Sequence, residues 1–147
     1  MDFGLTDEQS LLIESVREMM ARGNYESYFR ECDDEGVLPQ KAIDDAVELG
    51  FAALGVPEEL GGTPCDDITK FLVAEEAIAL GWPSLCWVNQ SLEVDDILSF
   101  GTPEQQKIIC ELGLKGVKPF TLGFSEPQAG SDSYAATTTV NERDGKL

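Results

Sequence analysis

Phe120-Thr121-Leu122-Gly123-Phe124-Ser125-Glu126-Pro127-Gln128-Ala129-Gly130-Ser131-Asp132-Ser133-Tyr134 is the stretch at which the apolar period of the chain changes. Phe120, Leu122 and Phe124 alternate with Thr121 and Gly123, a period of two that predicts a short strand within Pro119–Phe124. Directly after it come a hydroxyl, a proline-stiffened turn, a glycine and a second hydroxyl. Ser125 would end the strand, where its hydroxyl can hydrogen-bond the polar edge of a planar ring. Pro127 sets the backbone of the turn. Gly130 permits close approach, so the Gly130 and Ser131 amides and the Ser131 hydroxyl can face a phosphate. Serine, proline and glycine also populate ordinary turns for conformational reasons alone. The residues are thus compatible with an extended, phosphate-bearing ligand without requiring one.

Upstream of this stretch the chain reads as helices with clear punctuation. Thr6 and Gln9 form a capping-box pattern, followed by Leu12, Val16, Met19 and Met20 at helical spacing. A shorter helical piece around Tyr25–Glu31 runs into the acidic cluster Asp33-Asp34-Glu35-Gly36. Pro39 can open a third helix with Ile43, Ala46 and Val47 inward and Gly50 as its stop. The connector Val56–Gly62 is too rich in proline and glycine for a regular element. Asp66 or Asp67 can cap a helix reaching Leu80, whose apolar runs predict a central place in a bundle. Gly81-Trp82-Pro83 ends it and begins a helix to Phe100, with Leu85, Val88 and Leu92 on one face. Thr102-Pro103-Glu104-Gln105 is a second capping box, starting a helix that carries Ile108, Ile109 and Leu112.

Beyond the turn, Thr137-Thr138-Thr139-Val140 is β-branched and strand-like, and Arg143-Asp144-Gly145-Lys146 suits a hairpin turn. A hairpin needs a return strand, because an unpartnered strand leaves its backbone groups unpaired. The expected architecture is therefore mainly α: residues 1–117 as an N-terminal helical domain of five or six helices, then residues 118–147 as the first strands of a truncated β domain. On this expectation the chain is the N-terminal piece of a longer protein.

Composition narrows the function classes. The 147 residues are 42% apolar, enough for one domain with a real core. A net charge of −18 argues against nucleic acid or an anionic membrane surface as partner, and reads as a solvated acidic surface. Cys32, Cys65, Cys86 and Cys110 have no CxxC spacing and no signal-like segment precedes them, which predicts reduced thiols in a cytoplasmic protein. No apolar run approaches bilayer length. Histidine is absent, so Ser–His–Asp and Cys–His catalysis and histidine-centred metal sites are excluded. Any chemistry falls to carboxylates or a bound cofactor.

The carboxylates do not form an acid–base pair. Asp33/Asp34, Asp44/Asp45, Glu58/Glu59, Glu75/Glu76 and Asp95/Asp96 are adjacent in sequence, and neighbours on a helix point about 100° apart. None has calcium-loop spacing, so no metal ligand is assigned. Glu126 and Asp132 are expected to order the turn rather than act as acids. Gln90-Ser91-Leu92-Glu93 is faintly similar to the phosphopantetheine site of acyl carrier proteins, but Gln90 stands where an aspartate should precede the serine.

Gly123-Phe124-Ser125-Glu126-Pro127-Gln128-Ala129-Gly130-Ser131-Asp132 closely resembles the flavin-site signature of the acyl-CoA dehydrogenases. Two departures stand out: Phe124 where a smaller aliphatic is usual, and Gln128 where glycine is common. The resemblance continues upstream in order, through Phe3–Gln9, Val56–Gly62 and Phe100–Lys107, and so covers essentially the whole chain. It implies an FAD-dependent oxidation of an acyl-CoA thioester, or the reverse reduction of an enoyl-CoA, with an electron-transfer flavoprotein as redox partner. The implied flavin contacts are Leu122, Phe124 and Ser125, with Ser125 at the pyrimidine side. Gly130 and Ser131 would lie at the pyrophosphate, and Ser131 would also touch the thioester arm of the substrate.

The helix from Pro83 helps wall the acyl pocket in that family, which nominates Ser84, Val88 and Leu92, although Leu85, Val88 and Leu92 equally fit a plain core stripe. The family's base is usually a glutamate of the C-terminal helical domain, so no catalytic residue is named here. The resemblance also implies a homo-oligomer, dimer or tetramer, for the full-length protein, and a flavin held jointly by several domains and a neighbouring subunit. A fragment alone is then expected to be inactive and to lose FAD. Met1-Asp2-Phe3, Tyr28–Asp33 and Pro57–Gly62 more softly resemble the crotonobetainyl-CoA reductase branch. A different class of function, a stand-alone acidic interaction domain, is disfavoured by the unfinished hairpin.

Overall fold

The computed structural model describes residues 4–83, 92–117 and 123–145, with the side chains of Leu92 and Glu93 outside the description. Among the described residues the architecture is mainly helical. Its helices are α1 (Asp7–Gly23), α2 (Tyr25–Glu35), α3 (Gln40–Glu48), α4 (Asp67–Ala79), α5 (Leu92–Phe100) and α6 (Pro103–Gly113).

Helix α1 begins where the sequence says it should. Thr6 Oγ1 accepts the Gln9 N–H at 3.1 Å, and Gln9 Oε1 accepts the Thr6 N–H at 3.0 Å. The same Gln9 reaches across the bundle, its Nε2 donating to Thr69 Oγ1 at 3.1 Å. Thr69 in turn donates its N–H to Asp66 Oδ1 at 2.7 Å, so the N-terminal caps of α1 and α4 form one hydrogen-bonded chain. About two turns further along both helices, Arg17 Nε meets Glu76 Oε1 at 2.8 Å. The two ties make α1 and α4 run parallel, flush at their starts.

A single residue separates α1 from α2. Asn24 takes the left-handed conformation (φ 47°), which asparagine tolerates better than most residues. The Tyr25 ring folds back over Gly23 so closely that a Cβ there would stand 2.2 Å from it. This reversal buries Tyr25 completely and sets Phe29 beside it, ring centroids 5.6 Å apart. Trp82, just after α4, packs edge-on against Phe29 (5.2 Å) and Tyr25 (6.2 Å). The Tyr25 hydroxyl donates to the Asp45 carboxylate, which ties α2 to α3. Burial, and then that carboxylate, push the phenol well above its ordinary pKa.

The core is continuous around these rings. Val16, Met19 and Met20 of α1 meet Ala42, Ile43 and Ala46 of α3, the turn residues Phe51, Ala52 and Leu54, and Val73, Ala74 and Ala77 of α4. Ala42, Ala46, Ala74 and Ala77 are buried in this cluster, where small side chains take little space between helices. Gly50 (φ 83°) follows the C-cap Leu49 and ends α3 as expected. The connector contains a short 3-10 turn, Glu58–Leu60.

Two expectations need adjustment, those for α4 and for Thr137–Val140. Helix α4 is one-sided rather than central: Thr69, Val73, Ala74 and Ala77 are buried, while Ile68 and Phe71 are 67% and 65% exposed. Its apolar composition runs all round, but it packs on α1 and the core along one face only. In α6 the capping box and the early proline are present as expected, and its buried residue is Cys110. Finally, Thr137–Val140 forms no strand. The described residues hold isolated bridges, Leu54 with Thr63 and Glu126 with Ala129, and no ladder. The amides of Thr137 and Thr138 go instead to a carboxylate. The left-handed Asp144 (φ 53°) and Gly145 (φ 72°) give the expected tight turn. Most of Pro119–Phe124, together with Leu85, Cys86 and Ser91, lies outside the described residues. Cys32, Cys65 and Cys110 are free thiols.

The aromatic cluster and the one-sided α4 make opposite predictions for two large side chains. Trp82→Ala should cost about 3–5 kcal/mol of unfolding free energy, whereas Phe71→Ser should change it by less than about 0.5 kcal/mol. Urea unfolding followed by helical circular dichroism measures both. Equal costs would contradict the packing described.

Candidate functional site

The stretch that resembles a flavin site is a closed loop. Glu126 and Ala129 exchange backbone hydrogen bonds, N–H to C=O at 2.9 Å and 3.0 Å in the two directions, around the two-residue tip Pro127-Gln128. That pairing makes Ser125 and Gly130 leave the tip on adjacent lengths of chain. Ala129 is buried, at 1% exposure, and anchors the tip. The chain then passes through Gly130, Ser131 and Asp132 into the short turn Ser133–Ala135.

Its return is held by the Glu126 side chain. Oε2 accepts the Thr137 N–H at 2.8 Å and Oε1 accepts the Thr138 N–H at 2.8 Å, one carboxylate oxygen to each of two consecutive amides. The Thr137 hydroxyl donates to Oε2 at 3.1 Å. Gln128 Nε2 donates both to Thr137 Oγ1 at 2.7 Å and to Glu126 Oε2. The Thr137 and Thr138 donors, with the Thr137 N–H foremost, hold the Glu126 carboxyl at about 2, below its usual 4.5. The group is therefore ionised and fully engaged, unsuited to proton transfer near neutrality.

Of the residues nominated from sequence, Phe124, Ser125, Gly130 and Ser131 are exposed on this loop, Phe124 at 66%. Leu122, Ser84 and Val88 lie outside the described residues, as does the side chain of Leu92. Gly130 needs no left-handed backbone, and a Cβ built on it meets nothing within 4 Å. Among the described residues, neither conformation nor packing demands glycine there. The space beside Gly130 is open, and Ser125 and Ser131 are exposed on the same loop.

The sequence assigned ordering of the turn jointly to Glu126 and Asp132. The structure gives that work to Glu126, since the Asp132 side chain makes no capping bond to the turn it precedes. Gln128, read only as a departure from glycine, proves to brace the loop. No periodicity signals either role, because both depend on Thr137 and Thr138 returning to the tip. Elsewhere, an open cleft of about 710 Å³ lies between α2 and the end of α4, lined by Glu26, Phe29, Arg30, Asp33, Leu80 and Pro83. It contains none of the described loop residues nominated from sequence. Among the described residues no group of side chains could hold a metal ion, and no helix is long and apolar enough to cross a membrane.

The depressed Glu126 pKa predicts how the loop responds to acid. For a carboxyl whose folded value is lowered, the stabilising contribution is fully present above the ordinary value of 4.5 and is lost as pH falls through about 2. The carboxyl carbon of Glu126 should titrate by NMR with a midpoint near 2. A midpoint near 4.5 would mean that the Thr137 and Thr138 amides are not held.

Comparison with known proteins agrees with this architecture. Residues 6–114 match the family described as acyl-CoA dehydrogenase, N-terminal domain. The chain is 38% identical, over its whole length, to the protein named "Probable acyl-CoA dehydrogenase YdiO" of Escherichia coli K12, and spans 38% of that relative's length. Among solved structures, it is similar to a chain described under electron transferring flavoprotein of Acidaminococcus fermentans. There the TM-score is 0.77 at 30% identity, covering 95% of this chain and 37% of that one. It is also similar to butyryl-CoA dehydrogenase of Megasphaera elsdenii, with TM-score 0.73 at 25% identity, covering 94% of this chain and 37% of that one. A family match from residue 6 to residue 114, carried on the same helical fold, means that this chain belongs to the acyl-CoA dehydrogenase family.

Proposed function

We propose that this chain supplies the N-terminal helical layer and one lip of the flavin site in an FAD-dependent oxidoreductase acting on the α,β carbons of an acyl-CoA thioester. Either direction, acyl-CoA oxidation or enoyl-CoA reduction, fits the site. The observation that carries the reading is the closed loop on which Ser125, Gly130 and Ser131 are exposed, with open space at Gly130, in a chain of this family. The division proposed is helices over residues 1–117 and the start of a second, β domain over residues 118–147.

The residues present fit the cofactor. Hydroxyl and amide donors suit the polar edge of an isoalloxazine and the oxygens of a pyrophosphate, and Gly130 leaves room for close backbone approach. In this reading Ser125 holds the pyrimidine side of the ring, with Leu122 and Phe124 against it. Gly130 and Ser131 hold the pyrophosphate, and Ser131 also reaches the substrate's thioester arm. When bound, the flavin supplies the acceptor or donor for the β-hydride. Phe124, bulkier than the aliphatic usual at its position, would exclude water from one side of the ring. Residues of this chain bind and orient, and none of them is assigned the proton at the α-carbon. The chain spans 38% of the curated relatives it matches, so the base, and the residues completing the flavin site, are assigned to polypeptide beyond these 147 residues.

An electron-transfer flavoprotein is the proposed redox partner and a homo-oligomer the proposed assembly, both supported by family membership. Crotonobetainyl-CoA is the narrower substrate proposed, on the resemblance carried by Tyr28–Asp33 and Pro57–Gly62.

Anaerobic addition of acyl-CoA to the flavin-loaded protein that contains this chain should bleach the flavin band near about 450 nm, and enoyl-CoA should restore it. A crotonobetainyl-CoA arm tests the narrower substrate. Absence of any spectral change across acyl chain lengths would overturn the reading. The 147-residue chain alone should be folded and largely helical by circular dichroism, and should carry no stoichiometric flavin absorbance. Stoichiometric flavin on it would show that the site is complete within this chain.

A further inference from the structure

We propose that Glu126 is the positioning residue of the flavin site, fixing both ends of the loop that carries Gly130 and Ser131 without touching the cofactor itself. The inference deepens the flavin reading above and rests on it. Glu126 uses every polar group it has: its N–H and C=O pair with Ala129, and its two carboxylate oxygens take the amides of Thr137 and Thr138. Everything between Ala129 and Thr137 is thereby a closed loop with both ends held by one side chain and its own backbone.

A loop fixed at both ends samples few conformations, so a ligand that binds it has little ordering left to impose. Direct contact between this carboxylate and a pyrophosphate would place like charges together, which is unfavourable. The carboxylate avoids this because its oxygens face donors from Thr137, Thr138 and Gln128. Its role is reach, with the charge serving to hold two amides. Gln128 adds a brace of its own, since one Nε2 spans Glu126 and Thr137. Glycine, common at that position in the family, has no side chain with which to do this.

Three variants separate reach from charge. Glu126→Gln loses the charge and one acceptor, Glu126→Asp keeps the charge but shortens the arm, and Gln128→Ala removes only the brace. In the 147-residue chain, the Thr137 and Thr138 amides should be protected from hydrogen exchange. Exchange should quicken by at least about tenfold in both Glu126 variants and by less in Gln128→Ala. In the flavin-loaded protein, FAD affinity should fall by about tenfold or more in both Glu126 variants, with helical circular dichroism unchanged. Retained affinity in Glu126→Asp would show that charge and not reach matters, and would overturn the proposal. Unprotected Thr137 and Thr138 amides in the unaltered chain would overturn it without reference to flavin. Gly130→Val, which fills the open space, distinguishes the remaining failures. If it weakens FAD binding while Glu126→Gln does not, the flavin reading stands and the positioning role falls. If neither variant changes FAD affinity, both fall.

Discussion

The helical layer depends on the burial of three aromatic rings, Tyr25, Phe29 and Trp82, at the meeting point of α2 and the end of α4. Two of the rings follow places where the chain changes direction, and Phe29 sits one turn into α2. Tyr25 follows the one-residue reversal at Asn24, and Trp82 follows the left-handed Gly81. Edge-on and stacked contacts of 5–6 Å hold the two reversals together. The Tyr25–Asp45 bond then brings α3 onto the same cluster. The cap-to-cap chain from Thr6 through Gln9 and Thr69 to Asp66 fixes the other end of the bundle. Held at both ends, α1 and α4 are kept parallel although their dipoles oppose that arrangement.

The loop from Ser125 to Thr138 is stabilised on different terms. It holds almost no apolar core beyond Ala129, and its order comes from hydrogen bonds that converge on Glu126. Such a loop can present polar groups to a ligand, because the bonds that hold it use Glu126, Gln128, Ala129, Thr137 and Thr138. Ser125, Gly130 and Ser131 are among the residues it leaves exposed, with Phe124 and Tyr134. Order centred on one carboxylate, with two serines and a glycine left accessible, suits the cofactor-binding role proposed for the loop.

Much of this was legible in the sequence, for physical reasons specific to each element. Both capping boxes, the Asp66 cap, the Gly50 stop and the Asp144-Gly145 turn are local, each decided within about four residues, and each is present. The inward faces of α1 and α3 follow from helical period. What was not legible depends on partners distant in sequence. The apolar composition of α4 cannot say which of its faces is covered, and Phe71 is exposed although nothing local predicts it. The β-branched run Thr137–Val140 favours a strand, but Glu126 takes the first two amides and no ladder forms among the described residues. In the loop, residue types pointed to the exposed serines and glycine. The clasp behind them joins Glu126 to residues 137 and 138, and no spacing rule reveals it.

The central claim is that this loop, as folded here, is one lip of a flavin site. A crystal structure of the flavin-loaded protein that contains this chain tests it most directly. The account predicts the Ser125 hydroxyl or amide within hydrogen-bond distance of the flavin pyrimidine edge, and Gly130 and Ser131 at the pyrophosphate. It also predicts Glu126 still bonded to the Thr137 and Thr138 amides and out of contact with the cofactor. A flavin seated elsewhere, or reached only after the Glu126 clasp has opened, would contradict it.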